Sequence, residues 1–342
     1  MQTYSLVASR NLIRAEREML KHAEPIKVLS NFGTQKQQPK NMTDTIVFRR
    51  VLPLDYNSTT YAPVVNATDY VLNEGTTPAP RTINYQDVSV TLQQYGILLQ
   101  LSSKAELMYE DDIPGDMIKL AGEHMATIEE MINYGVVRAG TTVYFPGTIL
   151  VRADCNAAIT LNVLRKTARA LEARHAKHVN SRLASGPNFG NAAVHPGYLV
   201  FIHTDVESDV RNLAGFTSVV DYGSFKPVHE REIGAVEQFR FITSPYFRPI
   251  ANAATGVALN GMESTGGTYA DVYQTLVVAQ DAWGQVALKG MGAAKPRYLP
   301  ASDINHANPM GQFGFVSASF WKAAVRLNES WMVRIEHAVT DL

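Results

Sequence analysis

The clearest periodicity in the chain lies between Asp116 and Arg138, where Ile118, Ala121, Met125, Ile128 and Ile132 step by three and four. That spacing lines one face of an α-helix, and at 1.5 Å per residue it predicts a rod about 35 Å long. Just ahead, Ser103 and Glu106 have the spacing of a capping box opening a shorter helix, which the acidic turn at 109–116 breaks. Upstream the period changes to two. Thr45–Leu52 reads as a strand, and its expected partner is Val88–Leu101, where Val88, Val90 and Leu92 alternate with Ser89, Thr91 and Gln93. Between them, Asp55–Asp87 is rich in Thr, Asn, Pro and Tyr. Loops longer than about 12–15 residues are uncommon in compact domains unless functional or disordered, and a two-stranded ribbon is marginal alone in water. Such an excursion must rest on something, and a neighbouring subunit is the natural support.

The remaining pattern is mixed. In Ser9–His22, Leu12, Ile13, Met19 and Leu20 are interleaved with Arg10, Arg14, Arg17 and Lys21, a short amphipathic helix ended by Pro25. Gly33–Asp44 is polar and reads as the linker of an N-terminal arm. A β-rich stretch at 141–151 leads to a predicted helix over Thr160–Lys177, with Leu161, Leu164, Ala168 and Leu171 on one face. Then come a strand Tyr198–Ile202 and a helix Asp205–Leu213. Strands follow at Val236–Thr243, Val272–Ala279, Phe313–Val316, Ser319–Asn328 and Met332–Ala338. The predicted class is α+β, without an internal repeat.

Composition changes this picture in three places. A chain of 342 residues is long enough for two or three compact units. Its charged fraction of 18% is low against a typical value of about 25%, which fits either a large core or a surface partly covered by other subunits. The net charge of −1 argues against a protein gripping nucleic acid over its whole surface. Charge is uneven, however: Arg10 to Arg50 holds nine Lys/Arg against four Asp/Glu. This basic arm reads equally as a solvated face or as a contact with nucleic acid or an acidic neighbour, since phosphate neutralisation needs only Lys/Arg within reach. A single cysteine, Cys155, rules out an internal disulfide framework. The first residues lack the apolar core of a signal peptide and no apolar run reaches the roughly 18 residues of a membrane span, so a soluble chain made inside the cell is expected.

Candidate chemistry is thin. Gly290-Met-Gly292-Ala-Ala-Lys295 lacks the endings of a dinucleotide or Walker loop and reads as a turn. His175 and His178 are three apart at a helix end but have no carboxylate or cysteine cluster beside them. His203 with Asp205, Glu207 and Asp209 has the makings of an acid–base site, yet N-capping by Asp205 explains the run without catalysis. Tyr109–Asp112 reads as a solvated turn, and Cys155 as a small buried hydrophobe. No Ser sits in a Gly-x-Ser-x-Gly elbow. The expectation is a chain with no catalytic residue, metal or cofactor.

In this order the elements resemble the major capsid proteins of tailed bacteriophages, in particular the subfamily typified by the coliphage N-four capsid protein. The resemblance is carried by residues 70–78 (Tyr-Val-Leu-Asn-Glu-Gly-Thr-Thr-Pro) and by Val88–Leu101 with Gln94-Tyr95-Gly96. The long helix ending near Arg138, Asn308–Gln312 running into Phe320-Trp321-Lys322, and the closing Asn328–Glu336 complete it. It spans nearly the whole chain.

The resemblance implies an N-terminal arm over 1–44 and an extended β-hairpin loop over 45–102. It implies a peripheral domain with a spine helix over 103–144 and 291–342, and an axial domain over 145–290. It also implies hexamers and pentamers closing into an icosahedral head shell around double-stranded DNA, assembled in the host cytoplasm, with no membrane. Implied partners are further copies of the chain, a portal protein, a scaffolding protein, a decoration protein and, non-specifically, the packaged DNA. Loop contacts are assigned to Tyr61, Tyr70, Glu74 and Arg81, and basic arm contacts to Arg14, Arg17, Lys21, Arg49 and Arg50. Some members weld the shell through a loop lysine, but Asp55–Asp87 holds no lysine and only Arg81 as a base, so a noncovalent shell is expected. The chain opens almost at once on the arm, so the scaffold is expected to be a separate protein. A decoration or tail-sheath protein is the alternative within the virion, and a soluble enzyme the alternative outside it.

Overall fold

The structure, a computed structural model, describes residues 27–75, 77–78, 80–108, 112–179, 197–222, 227–304, 306 and 308–342. The helix expected at 9–22, with Arg14, Arg17 and Lys21, lies outside the described residues. In chain order, β1 is Thr34–Gln38, β2 Thr45–Val51, β3 Tyr85–Thr91 and β4 Gln93–Ser102; α1 is Ser103–Met108 and α2 Ile113–Arg138. Then follow β5 Val143–Tyr144, α3 Leu161–Ala173, β6 Tyr198–Ile202, α4 Glu207–Arg211 and β7 Phe216–Ser218. β8 is Glu232–Val236, β9 Phe239–Thr243, β10 Tyr273–Val278, β11 Trp283–Leu288, β12 Lys295–Leu299, β13 Phe313–Arg326 and β14 Met332–His337. The class is α+β, and the chain forms two compact units.

The first unit (27–46, 90–134 and 284–325 among the described residues) is a five-stranded sheet backed by the first part of α2. Its path runs β1-β11-β13-β12, and β4 pairs β13 antiparallel from Phe313↔Ser102 to Lys322↔Gln93. Period two along β13 turns Gly314, Val316, Ala318 and Phe320 inward. The expected helical stripe meets them: Ile118 and Ala121 pack with Val316, and Met125 with Ala318 and Phe320. Each large apolar side chain so buried contributes about 1.5–3 kcal/mol.

Three expectations shift here. The stretch 88–101 is not one strand. It divides at Leu92, whose N–H bonds Asp44 O at 2.9 Å, so β3 stays with β2 while β4 leaves for β13. The long helix opens at Ile113 rather than Asp116. Asp112 caps it, accepting from Gly115 N at 3.2 Å, and Pro114 occupies the first turn, where no N–H is needed. The short helix before it is capped by Ser102, which accepts from Ala105 N at 3.2 Å, not by Ser103.

The second unit (47–89, 135–283 and 326–342) is built on a seven-stranded mixed sheet, β5-β14-β10-β6-β9-β8-β7. Every residue of β6, β9 and β10 is buried, so both faces of the sheet are covered. Val163, Leu164 and Leu171 of α3 join Tyr198, Val200, Ile202, Phe239 and Phe241 in one core. The helix stops four residues short of Lys177. His175 takes a left-handed φ of 54°, its N–H bonding Glu172 O at 2.9 Å while Ala176 N–H reaches Leu171 O at 3.0 Å, a Schellman ending. The single strand expected over 236–243 is a hairpin, β8–β9, turning at Glu237 with φ 50°. The helix expected at 205–213 is one 3₁₀ turn followed by α4, and the two strands expected over 313–328 are the single β13.

The last strand carries buried polar chemistry. Glu336, 1% exposed, accepts from Arg152 Nε and Nη2 at 2.8 and 2.6 Å and from Gln274 Nε2 at 3.2 Å, with Arg334 at 2.9 Å. Burial alone would raise this carboxyl, but the two guanidinium groups bring it below its ordinary range. Next to it His337 is fully buried: Nδ1–H donates to Ala338 O and Nε2 accepts from Thr275 Oγ1, both at 2.8 Å. Burial lowers its pKa from 6.5. In the unfolded chain the ring takes up a proton as pH falls through about 6.5, while the native site resists it, so native stability drops below that pH. The expected loss is up to about 1.4 kcal/mol per pH unit until the native ring itself protonates. Urea midpoints at pH 7.5 and 5.5 should show it, and the difference should shrink in a His337→Asn chain. An equal pH response in both would refute it.

Candidate assembly interface

The extended loop is held by its own side chains. Across the ribbon Arg49 is bidentate to Asp87 at 2.7 Å and stacks over Tyr85 at 5.6 Å. This bond holds the Asp87 carboxyl below its ordinary range, although as an exposed pair it adds little stability. Arg50 donates to Gln86 at 2.7 Å, lies 5.2 Å over the Tyr61 ring and is lowered in pKa by burial. At the turn, Asn57 Oδ1 accepts from Thr59 N at 2.8 Å and Thr60 N at 3.1 Å, placing Tyr61 at φ 54° against Tyr56. Ser330 Oγ donates to Thr60 O at 2.7 Å and fixes that knob to the turn before β14.

Further out, one carboxylate gathers two of the residues assigned to the loop contacts. Asp55 accepts from the Tyr70 hydroxyl and from Arg81 Nη1, and the Arg81 guanidinium stands 4.4 Å over the Tyr70 ring. The hydrogen bond to Asp55 raises the Tyr70 pKa, so the phenol stays protonated. Tyr70 and Arg81 therefore form a clamp, Tyr61 belongs to the separate knob with Arg50, and Glu74 stands exposed. Arg49 and Arg50, grouped in sequence with the basic arm, are in fact opposite strand positions of the ribbon to Gln86 and Asp87. Asp55 was missed. Its signal was position, as the first acidic residue after the predicted strand Thr45–Leu52.

The loop leaves apolar surface open. Ten of the 23 exposed large hydrophobic side chains among the described residues fall between Val47 and Tyr85, including Val64, Val65, Val71 and Leu72. A groove of about 440 Å³ also lies at the loop's base, with Phe48, Leu52 and Trp331 among its lining.

In the first unit a second contact set anchors the arm. Glu130 of α2, fully buried, accepts from Leu29 N at 2.6 Å, Ser30 N at 3.1 Å and Ser30 Oγ at 3.0 Å. The adjacent Glu129 pairs with Lys27 and Lys322. Two acids inside a helix otherwise read by its apolar stripe were the signal for this anchor.

The other candidates resolve into structure. Asp205 does not cap a helix; instead the His203 ring accepts from Asp205 N at 3.3 Å, and Tyr273 OH lies 2.7 Å from Asp205 and 3.0 Å from Glu263. Burial and these carboxylates push the Tyr273 pKa up, so its proton is held as a tie between segments. Cys155 is buried and its thiol is pushed up to about 12, chiefly by burial. His178 meets the Tyr198 ring edge-on at 4.5 Å. Gly290 has φ 76° in the turn between β11 and β12. Among the described residues no group of three or more His, Cys, Asp or Glu is placed to hold a metal, and no helix is long and apolar enough to cross a membrane.

This fold is shared with solved bacteriophage capsids. The Ralstonia phage GP4 capsid matches with a TM-score of 0.60 at 10% identity, over 90% of this chain and 87% of that one. The head structure of Helicobacter pylori bacteriophage KHP40 matches at 0.58 and 10% identity, over 89% and 87% of the two chains. The capsid of cyanophage P-SCSP1u matches at 0.55 and 14% identity, over 90% and 87%. No protein-family model and no curated protein sequence matches the chain.

Proposed function

We propose that the chain is the major capsid protein of a tailed bacteriophage, a subunit that assembles through hexamers and pentamers into the icosahedral head shell around packaged double-stranded DNA. The observation that carries this reading is the likeness to several phage capsids over about nine-tenths of the chain. The apolar loop agrees with it, because an exposed surface of this density is covered in an assembly. Within the reading, 1–44 is the arm, 45–102 the extended loop, 103–144 with 291–342 the peripheral domain carrying α2, and 145–290 the axial domain. Strands β5 and β14, which those boundaries place in the peripheral domain, pair in the sheet that also holds β6, β9 and β10. The kinship is with the coliphage N-four subfamily.

Tyr61, Tyr70, Glu74 and Arg81 act at or behind the loop's contact with the next subunit. Arg14, Arg17, Lys21, Arg49 and Arg50 supply basic contacts to a neighbour or to DNA. The shell is noncovalent, since Asp55–Asp87 has no lysine, and its strength comes from many modest contacts acting together. Portal, scaffolding and decoration proteins complete the head, and the subunit carries no catalysis or cofactor of its own. Negative-stain electron microscopy of the purified protein, with and without a candidate scaffold, tests the reading. Closed shells or six-fold arrays are expected, running as free chains on a denaturing gel. Tubes, or a uniform monomer with the scaffold present, would overturn it, and covalent ladders would overturn the noncovalent part.

A further inference from the structure

We propose that the end of the extended loop, Asp69–Glu74, seats in the groove at the base of the same loop on a second copy of this chain. The inference rests on the shell reading and says which surfaces of two subunits meet. Val71 and Leu72 stand 69% and 71% exposed, held out by the clamp of Tyr70 and Arg81 on Asp55. Acidic residues flank them, Asp69 on one side and Glu74 on the other.

The groove is the counterpart in both respects. Its floor is apolar, made by Phe48, Leu52 and Trp331, and its volume of about 440 Å³ accommodates two aliphatic side chains. Its rim is cationic, with Arg50 and Arg174 against one acid, Asp281. Arg174 bonds neutral oxygens, Ser330 O at 3.1 Å and Thr142 Oγ1 at 3.4 Å, and Arg50 bonds Gln86. Both guanidinium groups thus face the groove with charge to spare for a carboxylate, and a charged pair formed there is partly desolvated. Within one chain Val71 and Leu72 remain exposed, so the occupant comes from another. End and groove are different patches, which makes the contact heterologous. Such contacts close into rings, as capsomers require.

Cross-linking in co-assembled particles tests this. A Leu72→Cys chain is mixed with a tagged Leu327→Cys chain, and the shells are treated with a short bismaleimide. The native Cys155 is buried and does not compete. Since Leu327 is partly buried, Asp281→Cys on the exposed rim serves as a second groove variant. The expected result is a dimer of one tagged and one untagged chain, at least tenfold above that from Leu72→Cys mixed with Val220→Cys, whose position is 90% exposed on another part of the second unit. Shells that form normally but give only that background with both groove variants would overturn the inference and leave the shell reading standing. Absence of shells from the unsubstituted protein with scaffold would overturn both.

Discussion

Replacing Glu130 with alanine is expected to destabilise the first unit by about 3 kcal/mol and to release the segment Lys27–Phe32 from α2. The carboxylate is fully buried and accepts the Leu29 and Ser30 amides, while Ser30 Oγ also accepts from Asn133 Nδ2 at 3.1 Å. Removing it orphans two buried backbone donors, each costing about 1–3 kcal/mol. Burial raises the Glu130 pKa, so part of that loss is offset by no longer desolvating a charge. Glu130→Gln keeps one acceptor and should cost about a third as much. Amide exchange is the appropriate measurement, because two units need not unfold together. Leu29 and Ser30 should exchange about a hundredfold faster in Glu130→Ala, as 3 kcal/mol corresponds to roughly that factor. Exchange unchanged at those two amides would show that the arm is held by something else.

The elements legible in the sequence are those with a long, undisturbed period. The stripe from Ile118 to Ile132 is met by β13, and Tyr198–Ile202 is the buried strand it was read to be. Misreadings cluster where a break in pairing carries no Gly, Asn or Pro to mark it. In Val88–Leu101 the apolar positions run 88, 90, 92 and then, after Gln93-Gln94, 95, 97, 99 and 101, so the phase changes where Leu92 spends its N–H on Asp44 and the strand changes partners. Glu237 likewise interrupts an apolar run with a residue that seldom adopts φ 50°, and without Gly or Asn the turn gave no signal. His175 hid the end of α3 for the same reason.

The candidate interface was legible in outline and not in detail. A long loop between two strands announces that it needs support, which is a statement about length and water alone. Which side chains support the loop and which are left for a partner depends on contacts between residues far apart in sequence. Asp55 lies 15 and 26 residues from Tyr70 and Arg81, and Thr60 lies 270 from Ser330. No local pattern encodes such pairs. The structure accordingly moves the interest from Tyr70 and Arg81, which hold the loop, to Val71 and Leu72, which the loop presents.

Deleting residues 57–83 is expected to leave a folded subunit that no longer forms shells. Among the described residues of the segment only Ala62 is buried, and the clusters around Val200, Val272, Val316 and Phe320 have no member in it. The hydrogen bond that ties it to Ser330, elsewhere in the second unit, is worth about 1 kcal/mol. Stability should therefore change little, while assembly loses Val64, Val65, Val71 and Leu72 together. A milder variant separates the apolar surface from the loop's mere presence. In Val71→Asp/Leu72→Asp the clamp on Asp55 is untouched, but each position forfeits the roughly 1.5–3 kcal/mol of a buried aliphatic side chain and must desolvate a carboxylate besides. Several kcal/mol lost at every subunit contact is multiplied around each capsomer, so particle yield should fall more than a hundredfold while the free subunit keeps its unfolding midpoint. Sedimentation of the assembly mixture gives the yield, and urea unfolding of the soluble fraction gives the control. Wild-type yields from the double variant would remove the loop from the interface and leave its apolar surface without an explanation.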